Sequence, residues 1–322
     1  MADLSLFDLT GKKALVTGAA GFCGRHLMSH LLQAGYCVSG LDCTDGIYLG
    51  ITIHKVDIND IAAVQAVLEV VQPDVVLHLA ALTNPRRDYQ ELHRVNVLGT
   101  LTLLSAVHQV CPAATVVVTS SGAVYGRGPG GTLPIKEDEP LRPANLYAVS
   151  KIAQEMVAYQ QFAEYGLHVI RTRAFNLTGP GESASFVTSA LARQIARIET
   201  GRQEPTLNVG NLNAIRDFTD VRDAVRAYRL LAEQGEPGAV YNVCSRQGTR
   251  IGQLLDDLLA LARMPGIAVQ PDPSRLQPAD VPIQVGDATR LHRTTGWLPE
   301  IPLQQTLQDV LDYWRQRTDE ES

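Results

Sequence analysis

The chain has 322 residues, 45% of them hydrophobic and 19% charged, with a net charge of -6. This composition is ordinary for a globular protein, and the length exceeds what a single core usually reaches, so one large domain with a smaller lobe is expected. The charge excludes a general attraction to nucleic acid or an anionic membrane, and no apolar run reaches the ~18 residues needed to cross a bilayer.

Met1 to Thr10 carries two aspartates and no basic residue, unlike a secretory signal. Lys13 to Thr17 predicts a buried strand, and Gly24 to Ala34 the helix after it. Tyr36 to Asp42, Ile51 to Val56 and Asp74 to Leu79 predict three more strands. Asn96 to Val110 has helical periodicity, Ala114 to Thr119 is a β-branched run, Tyr147 to Gln161 is helical, and His168 to Thr172 is a sixth strand. Strands alternating with helices predict an α/β fold, a doubly wound parallel sheet covered on both faces. Beyond Phe175 the pattern breaks into shorter units rich in Pro and Gly, which predicts a smaller C-terminal α/β lobe. The expected division gives residues 1–174 plus about 213–246 to the sheet domain and about 175–212 plus 247–322 to the lobe. Thr318 to Ser322 reads as a frayed acidic tail.

The five cysteines (Cys23, Cys37, Cys43, Cys111, Cys244) show no Cys-x-x-Cys spacing, which fits reduced thiols in the cytoplasm. His26 and His30 are four apart on a helix, but no third ligand accompanies them, so no metal is expected.

The run Gly18-Ala19-Ala20-Gly21-Phe22-Cys23-Gly24 follows the first strand and opens a helix. In that context Gly18 permits the tight turn, Gly21 lets the backbone approach a pyrophosphate, and Gly24 allows helix and strand to pack closely. The amides at the helix start, Phe22 and Cys23 among them, supply N–H donors at the positive end of the dipole. Asp42 ends the second strand, 24 residues after Gly18, where an acid holds the adenosine ribose hydroxyls. A carboxylate there would repel a 2′-phosphate, so NAD(H) is favoured, with NADP(H) possible. Asp57-Ile58 and Leu79-Ala80-Ala81, at the next two strand ends, would line the path of adenine and nicotinamide ribose.

Tyr147 and Lys151 are four residues apart and share one helical face. There the ammonium stabilises a phenolate, lowering a pKa that is about 10 when unperturbed.

The glycine turn, Ser120-Ser121-Gly122-Ala123-Val124-Tyr125-Gly126, Tyr147-x-x-x-Lys151 and Arg216-Asp217-Phe218 together resemble the extended short-chain dehydrogenase/reductase family acting on nucleotide sugars. The resemblance covers nearly the whole chain. It implies that Tyr147 is the acid/base, that Lys151 lowers its pKa and holds the nicotinamide ribose, and that Ser121 hydrogen-bonds the substrate oxygen. Family members that dehydrate a hexose carry acidic residues just after the active-site hydroxyl. Gly122 and Ala123 stand there, which leaves reductase or epimerase.

Leu207 to Asn213, Val285-Gly286-Asp287, Gly296-Trp297-x-Pro299, Ser185-Phe186-Val187 with Arg193 to Arg197, and Val240 to Cys244 resemble the branch that works on GDP-mannose derivatives. The likeness is greatest to GDP-4-keto-6-deoxy-mannose reductases, which make GDP-rhamnose. It implies a GDP-linked 4-keto-6-deoxy sugar as substrate, and a homodimer in which Asn96–Val110 and Tyr147–Gln161 pair with their mates as a four-helix bundle. A 4-epimerase is the alternative, and a nucleotide-sugar sensor without turnover is the reading from another class.

Two phosphates call for guanidinium groups. Arg216 is the main candidate, with Asn176 as a neutral donor, Phe186 and Val187 packing on sugar or base, and Arg193 as a further contact. Dehydratase relatives carry Arg-Pro before an acidic residue where this chain has Gln277-Pro278-Ala279-Asp280, and Arg275 would supply the missing charge.

Overall fold

The computed structural model of the chain describes residues 11–83, 88–126, 133–275 and 281–320. The segments 1–10, 277–280 and 321–322 singled out above lie outside the described residues.

The strands are β1 (Lys13–Thr17), β2 (Cys37–Asp42), β3 (Gly46–Tyr48), β4 (Ile51–Lys55), β5 (Val75–His78), β6 (Thr115–Ser121), β7 (Val169–Ala174), β8 (Asn176–Thr178), β9 (Thr206–Val209), β10 (Ile215–Asp220), β11 (Val240–Val243), β12 (Gly248–Arg250), β13 (Ala268–Pro271) and β14 (Ile283–Gln284). The α-helices are α1 (Phe22–Gln33), α2 (Ile61–Val71), α3 (Tyr89–His93), α4 (Gly99–Val110), α5 (Leu146–Tyr165), α6 (Val187–Glu199), α7 (Val221–Gln234), α8 (Ile251–Ala260), α9 (Thr289–Thr295) and α10 (Leu303–Glu320).

Eight strands form one sheet in the order β11-β7-β6-β5-β1-β2-β4-β3. β1 pairs in parallel with both β2 and β5, so the strand order reverses at β1. In an open α/β sheet that reversal opens a crevice at the carboxyl ends of the strands, where ligands bind. The α/β fold and the six predicted strands are present. β3 was not predicted: it is three residues long and runs antiparallel to β4, too short for a periodic signal.

The described residues fall into two compact units, one within Met1–Ser120, Val149–Thr172 and Tyr228–Val240, the other within Ser121–Ala148, Arg173–Ala227 and Tyr241–Ser322. In the first, Leu15, Val76 and Val116 from neighbouring strands pack with Val64 and Leu68 of α2 and with Leu103, Leu104 and Val107 of α4. The three- and four-residue spacings on those helices present one apolar stripe to the sheet. In the second, Leu191, Ile195 and Ile198 of α6 share a core with Leu254, Leu255 and Leu258 of α8 and with Leu307, Val310 and Leu311 of α10. The buried Arg315 guanidinium closes that core against both Glu199 oxygens at 2.8 Å.

The helix predicted over Asn96–Val110 is helical throughout, its first residues falling in a π-helical turn, Arg94–Leu98, that runs directly into α4. One expectation needs correction. The tail predicted from Thr318 is helical to Glu320, because Thr318 is buried and its hydroxyl donates to Trp314 O at 2.8 Å.

Candidate active site

The glycine turn joins β1 to α1 and has almost no space for side chains. Gly18 has φ +69°, and a Cβ there would lie 2.8 Å from Ala80 N and 2.9 Å from Leu79 C. A Cβ on Gly24 would lie 2.1 Å from Gly18 O, so helix and turn pack backbone on backbone. α1 starts at Phe22 with Gly21 as its N-cap and no side-chain cap. Its first amides therefore have no intrahelical acceptor and suit an anion. This cradle fits a dinucleotide pyrophosphate. The structure brings Leu79 and Ala80 against the turn: Leu79 N donates to Thr17 O and Ala80 N to Thr17 Oγ1, both at 3.2 Å.

Asp42 stands at the carboxyl end of β2, and its Oδ2 accepts the Ala20 N–H of the turn at 3.0 Å. Asp57 is committed to Asn59 and to Arg94 (3.1 Å), and the two hydrogen bonds from Asn59, with Arg94 beside them, hold its carboxyl below the usual range. Ile58 is a member of the apolar core beneath Gly99, so its side chain is spent on packing.

α5 carries the predicted pair. Asn145 Oδ1 caps its first turn by accepting Ala148 N–H at 2.9 Å, and Tyr147 is half-buried there. One turn on, Lys151 is buried and donates from Nζ to Thr119 O at 2.6 Å. Burial pushes the Lys151 ammonium down to about 7, with the Glu155 carboxylate one turn further opposing the shift. Ser121 ends β6, and its Oγ accepts Ala123 N–H at 3.2 Å, starting the 3-10 turn Gly122–Tyr125.

Sequence reasoning missed a buried polar chain within the first unit. His78 at the end of β5 bonds Thr17 Oγ1 through Nδ1 (2.7 Å) and Thr100 Oγ1 through Nε2 (2.8 Å). Gln154 of α5 donates to Thr100 Oγ1 at 2.9 Å. Asn96, inside the π-helical turn, donates to Ser150 Oγ and to Leu82 O, both at 3.0 Å. The chain thus ties the residue before Gly18 to the residues flanking Lys151. Burial and the Lys151 charge push His78 down to about 3, so its imidazole is neutral. The only sequence signal was polarity in apolar company, His78 after Val75-Val76-Leu77, and a π-helical turn often marks a functional site.

In the second unit Arg216 lies on β10, donating to Ile215 O at 2.9 Å. Its two acidic neighbours are committed elsewhere. Asp217 accepts from Ser245 N and Oγ, Arg246 N and Gly286 N. Asp220 takes Arg222 at 2.7 Å and Thr306. Asn176 donates to Asp217 O at 3.0 Å. Phe186 and Val187 are exposed at the start of α6, whereas Arg193 stacks on Trp314 at 5.5 Å. Arg275 pairs with Asp272 at 3.2 Å and backs onto Gly210. His30 accepts from Arg229 Nε at 3.1 Å, a packing role. Among the described residues no cluster of three metal-ligating side chains occurs, and no helix is long and apolar enough to cross a membrane.

A family profile described as GDP-mannose 4,6 dehydratase matches residues 15–310. The chain is 39% identical over 313 residues to GDP-6-deoxy-D-mannose reductase of Pseudomonas aeruginosa, covering 96% of this chain and 99% of that protein. It belongs to the extended short-chain dehydrogenases/reductases acting on nucleotide sugars. Within this family it is also 27% identical to GDP-mannose 4,6-dehydratase of Vibrio cholerae, covering 93% of this chain and 92% of that one. The structure of RMD from Pseudomonas aeruginosa complexed with NADPH superposes with a TM-score of 0.84 at 36% identity, covering 95% of this chain and 100% of that one. UDP-glucose 4-epimerase of Thermotoga maritima gives 0.85 at 25% identity, covering 95% and 99%. The family expected from the motifs is the one found.

Proposed function

We propose that this chain reduces the C4 ketone of GDP-4-keto-6-deoxy-D-mannose to give GDP-D-rhamnose, using NADH or NADPH. The bound nicotinamide supplies the hydride. Negative charge then builds on the C4 oxygen; Ser121 Oγ hydrogen-bonds that oxygen and the Tyr147 phenol protonates it. Lys151 draws the Tyr147 proton equilibrium toward transfer and orients the nicotinamide ribose. Gly18 and Gly21 let the cofactor pyrophosphate approach the backbone, and Phe22, Cys23 and Gly24 at the start of α1 contact it; Arg216 holds a substrate phosphate, with Asn176, Phe186, Val187, Arg193 and Arg275 as further substrate contacts.

The observation that carries reduction over dehydration is at Gly122. Gly122 and Ala123 stand where dehydrating relatives carry acids, and neither can move a proton; at Gly122 a Cβ would also lie 3.1 Å from the Phe175 ring, a tight contact to which the ring would have to yield. Identity with the Pseudomonas reductase favours the GDP sugar. Exposed Leu98, Leu101, Met156, Tyr159 and Tyr165 on or beside α4 and α5 support a homodimer through those helices. Reduced nicotinamide and GDP-sugars are cytoplasmic currencies, which puts the reaction there.

Purified protein given the keto sugar from a separate dehydratase should consume one NAD(P)H per sugar. Interconversion of GDP- or UDP-hexoses without net cofactor consumption would replace the reductase with the epimerase. Silence in both assays would leave the sensor.

A further inference from the structure

We propose that Gln284 determines specificity for the sugar: its side-chain oxygen accepts a hydrogen bond from the C3 hydroxyl of the hexose, the hydroxyl beside the ketone. This rests on the reductase reading, with Arg216 on a substrate phosphate and Ser121 on the C4 oxygen. Nothing in the sequence singled Gln284 out.

Three strands of the second unit place it. β10 lies between β12 and β14. Arg216 of β10 is in register with Thr249 of β12 and with Gln284 of β14. Register partners on neighbouring strands project from the same face, and the strands lie about 4.8 Å apart. Gln284 therefore stands beside Arg216 in one row of side chains. Its amide reaches onward: Nε2 donates to Gly122 O at 2.7 Å. Gly122 directly follows Ser121, whose Oγ accepts the Ala123 N–H of the same turn at 3.2 Å. One side chain thus runs from the neighbour of the phosphate-binding arginine to the neighbour of the serine. A hexose joined to the diphosphate at C1 and reduced at C4 covers the same interval, and its C3 is adjacent to C4.

The orientation of the amide settles which atom is offered. A carbonyl oxygen only accepts, so the NH2 group faces Gly122 O and Oε1 is turned away from it. Oε1 accepts no hydrogen bond from any described residue, and the side chain is half-buried rather than sealed in the core. Such an acceptor matches a hydroxyl, and a sugar lacking that hydroxyl leaves it unpaired. The acceptor is also uncharged. A carboxylate at this place would oppose both the nearby phosphates and the negative charge that builds on the C4 oxygen, whereas a neutral amide opposes neither.

The test compares kcat/KM for GDP-4-keto-6-deoxy-D-mannose and for its 3-deoxy analogue, with NADPH or NADH in excess. The wild type should prefer the hydroxylated sugar by roughly tenfold or more, the discrimination that one hydrogen bond supplies. Gln284→Met, of similar length but with no oxygen acceptor, should abolish that preference, whatever the lost Gly122 contact costs on both sugars. Gln284→Glu keeps an acceptor and adds a charge, so turnover should fall on both sugars while the preference persists. Equal kcat/KM for the two sugars in the wild type, or a preference that survives in Gln284→Met, overturns the proposal alone and leaves the reductase. The wild-type comparison needs no variant, so it stands even if Gln284→Met does not fold. Turnover of neither sugar overturns the reductase reading and this proposal with it.

Discussion

Lys151 reaches from α5 to the carbonyl of Thr119, two residues before Ser121 on β6, at 2.6 Å. The contact anchors the helix that bears Tyr147 to the strand that bears Ser121, and it does so with a buried charge. Burial holds the Lys151 ammonium near 7, against an ordinary value of 10.5. Between those limits the unfolded chain binds more protons, so the lysine's cost to stability is full below about pH 7 and fades as pH rises toward 10.5. Lys151→Met should therefore raise Tm more at pH 6.5 than at pH 9.5, while lowering turnover by roughly 10²-fold or more. Calorimetry at the two pH values checks the first part. A Tm change that is the same at both removes the buried-charge account.

Tyr147→Phe should reduce turnover by roughly 10²–10⁴-fold, the usual loss for a positioned proton donor. Cofactor affinity should stay near the parent value, since the ring is kept and only the hydroxyl is lost. Turnover within about tenfold of wild type would rule Tyr147 out as the acid.

The parts visible in the sequence were those with a local signature. β1, β5 and β6 are runs of β-branched and aliphatic residues between turn residues, and the glycine turn declares itself by spacing. His78 and Asn96 were not legible, because one polar residue in an apolar run has no partner until the chain folds. Thr17 and Thr100 lie 61 and 22 residues from His78. The stacking of Arg25 on the Tyr48 ring, 5.4 Å from its centroid, was hidden for the same reason: Tyr48 is brought there by the short β3–β4 hairpin. Among the substrate candidates, Arg216 could be named but not its surroundings, since Asp217 is taken up by donors from 245, 246 and 286.

Glu182 gives the opposite pH dependence from Lys151. Burial pushes its carboxyl up to about 8, although Thr178 Oγ1 donates to it at 3.0 Å and opposes the shift. A raised folded pKa means that the protonated form is the stable one. Its contribution is complete below the ordinary value of 4.5 and is lost as pH rises through about 8. Glu182→Gln keeps an acceptor for Thr178 and removes the charge. Its Tm should exceed the parent's at pH 9 and match it at pH 5. A gain that is equal at both pH values contradicts a buried, titrating Glu182.

The dimer prediction concerns α4 and α5. Leu101 is 38% exposed and Tyr159 45%, large apolar groups on the two helices assigned to the interface. Light scattering after gel filtration should give twice the chain mass at micromolar concentration. Leu101→Glu should shift the mass toward one chain without loss of helix signal. A monomeric parent protein would refute the interface.

Phe175 connects the remaining prediction to the reaction type. Its ring lies between two glycines: a Cβ on Gly122 would sit 3.1 Å from it, and a Cβ on Gly286 2.6 Å. Gly122 is further fixed by its carbonyl, which accepts Gln284 Nε2 at 2.7 Å. An acid introduced at 122 must therefore displace an aromatic ring that has no room to retreat toward 286. Overpacking of this kind costs on the order of 1–3 kcal/mol. Gly122→Asp should lower Tm, cut reductase turnover and fail to produce a keto sugar from GDP-mannose. Combining it with Phe175→Leu, which vacates part of the ring volume, should recover part of the lost Tm relative to the sum of the single variants. Strict additivity of the two Tm changes would mean that Phe175 is not what closes position 122, and efficient dehydration by Gly122→Asp would show that the acid alone separates the two activities.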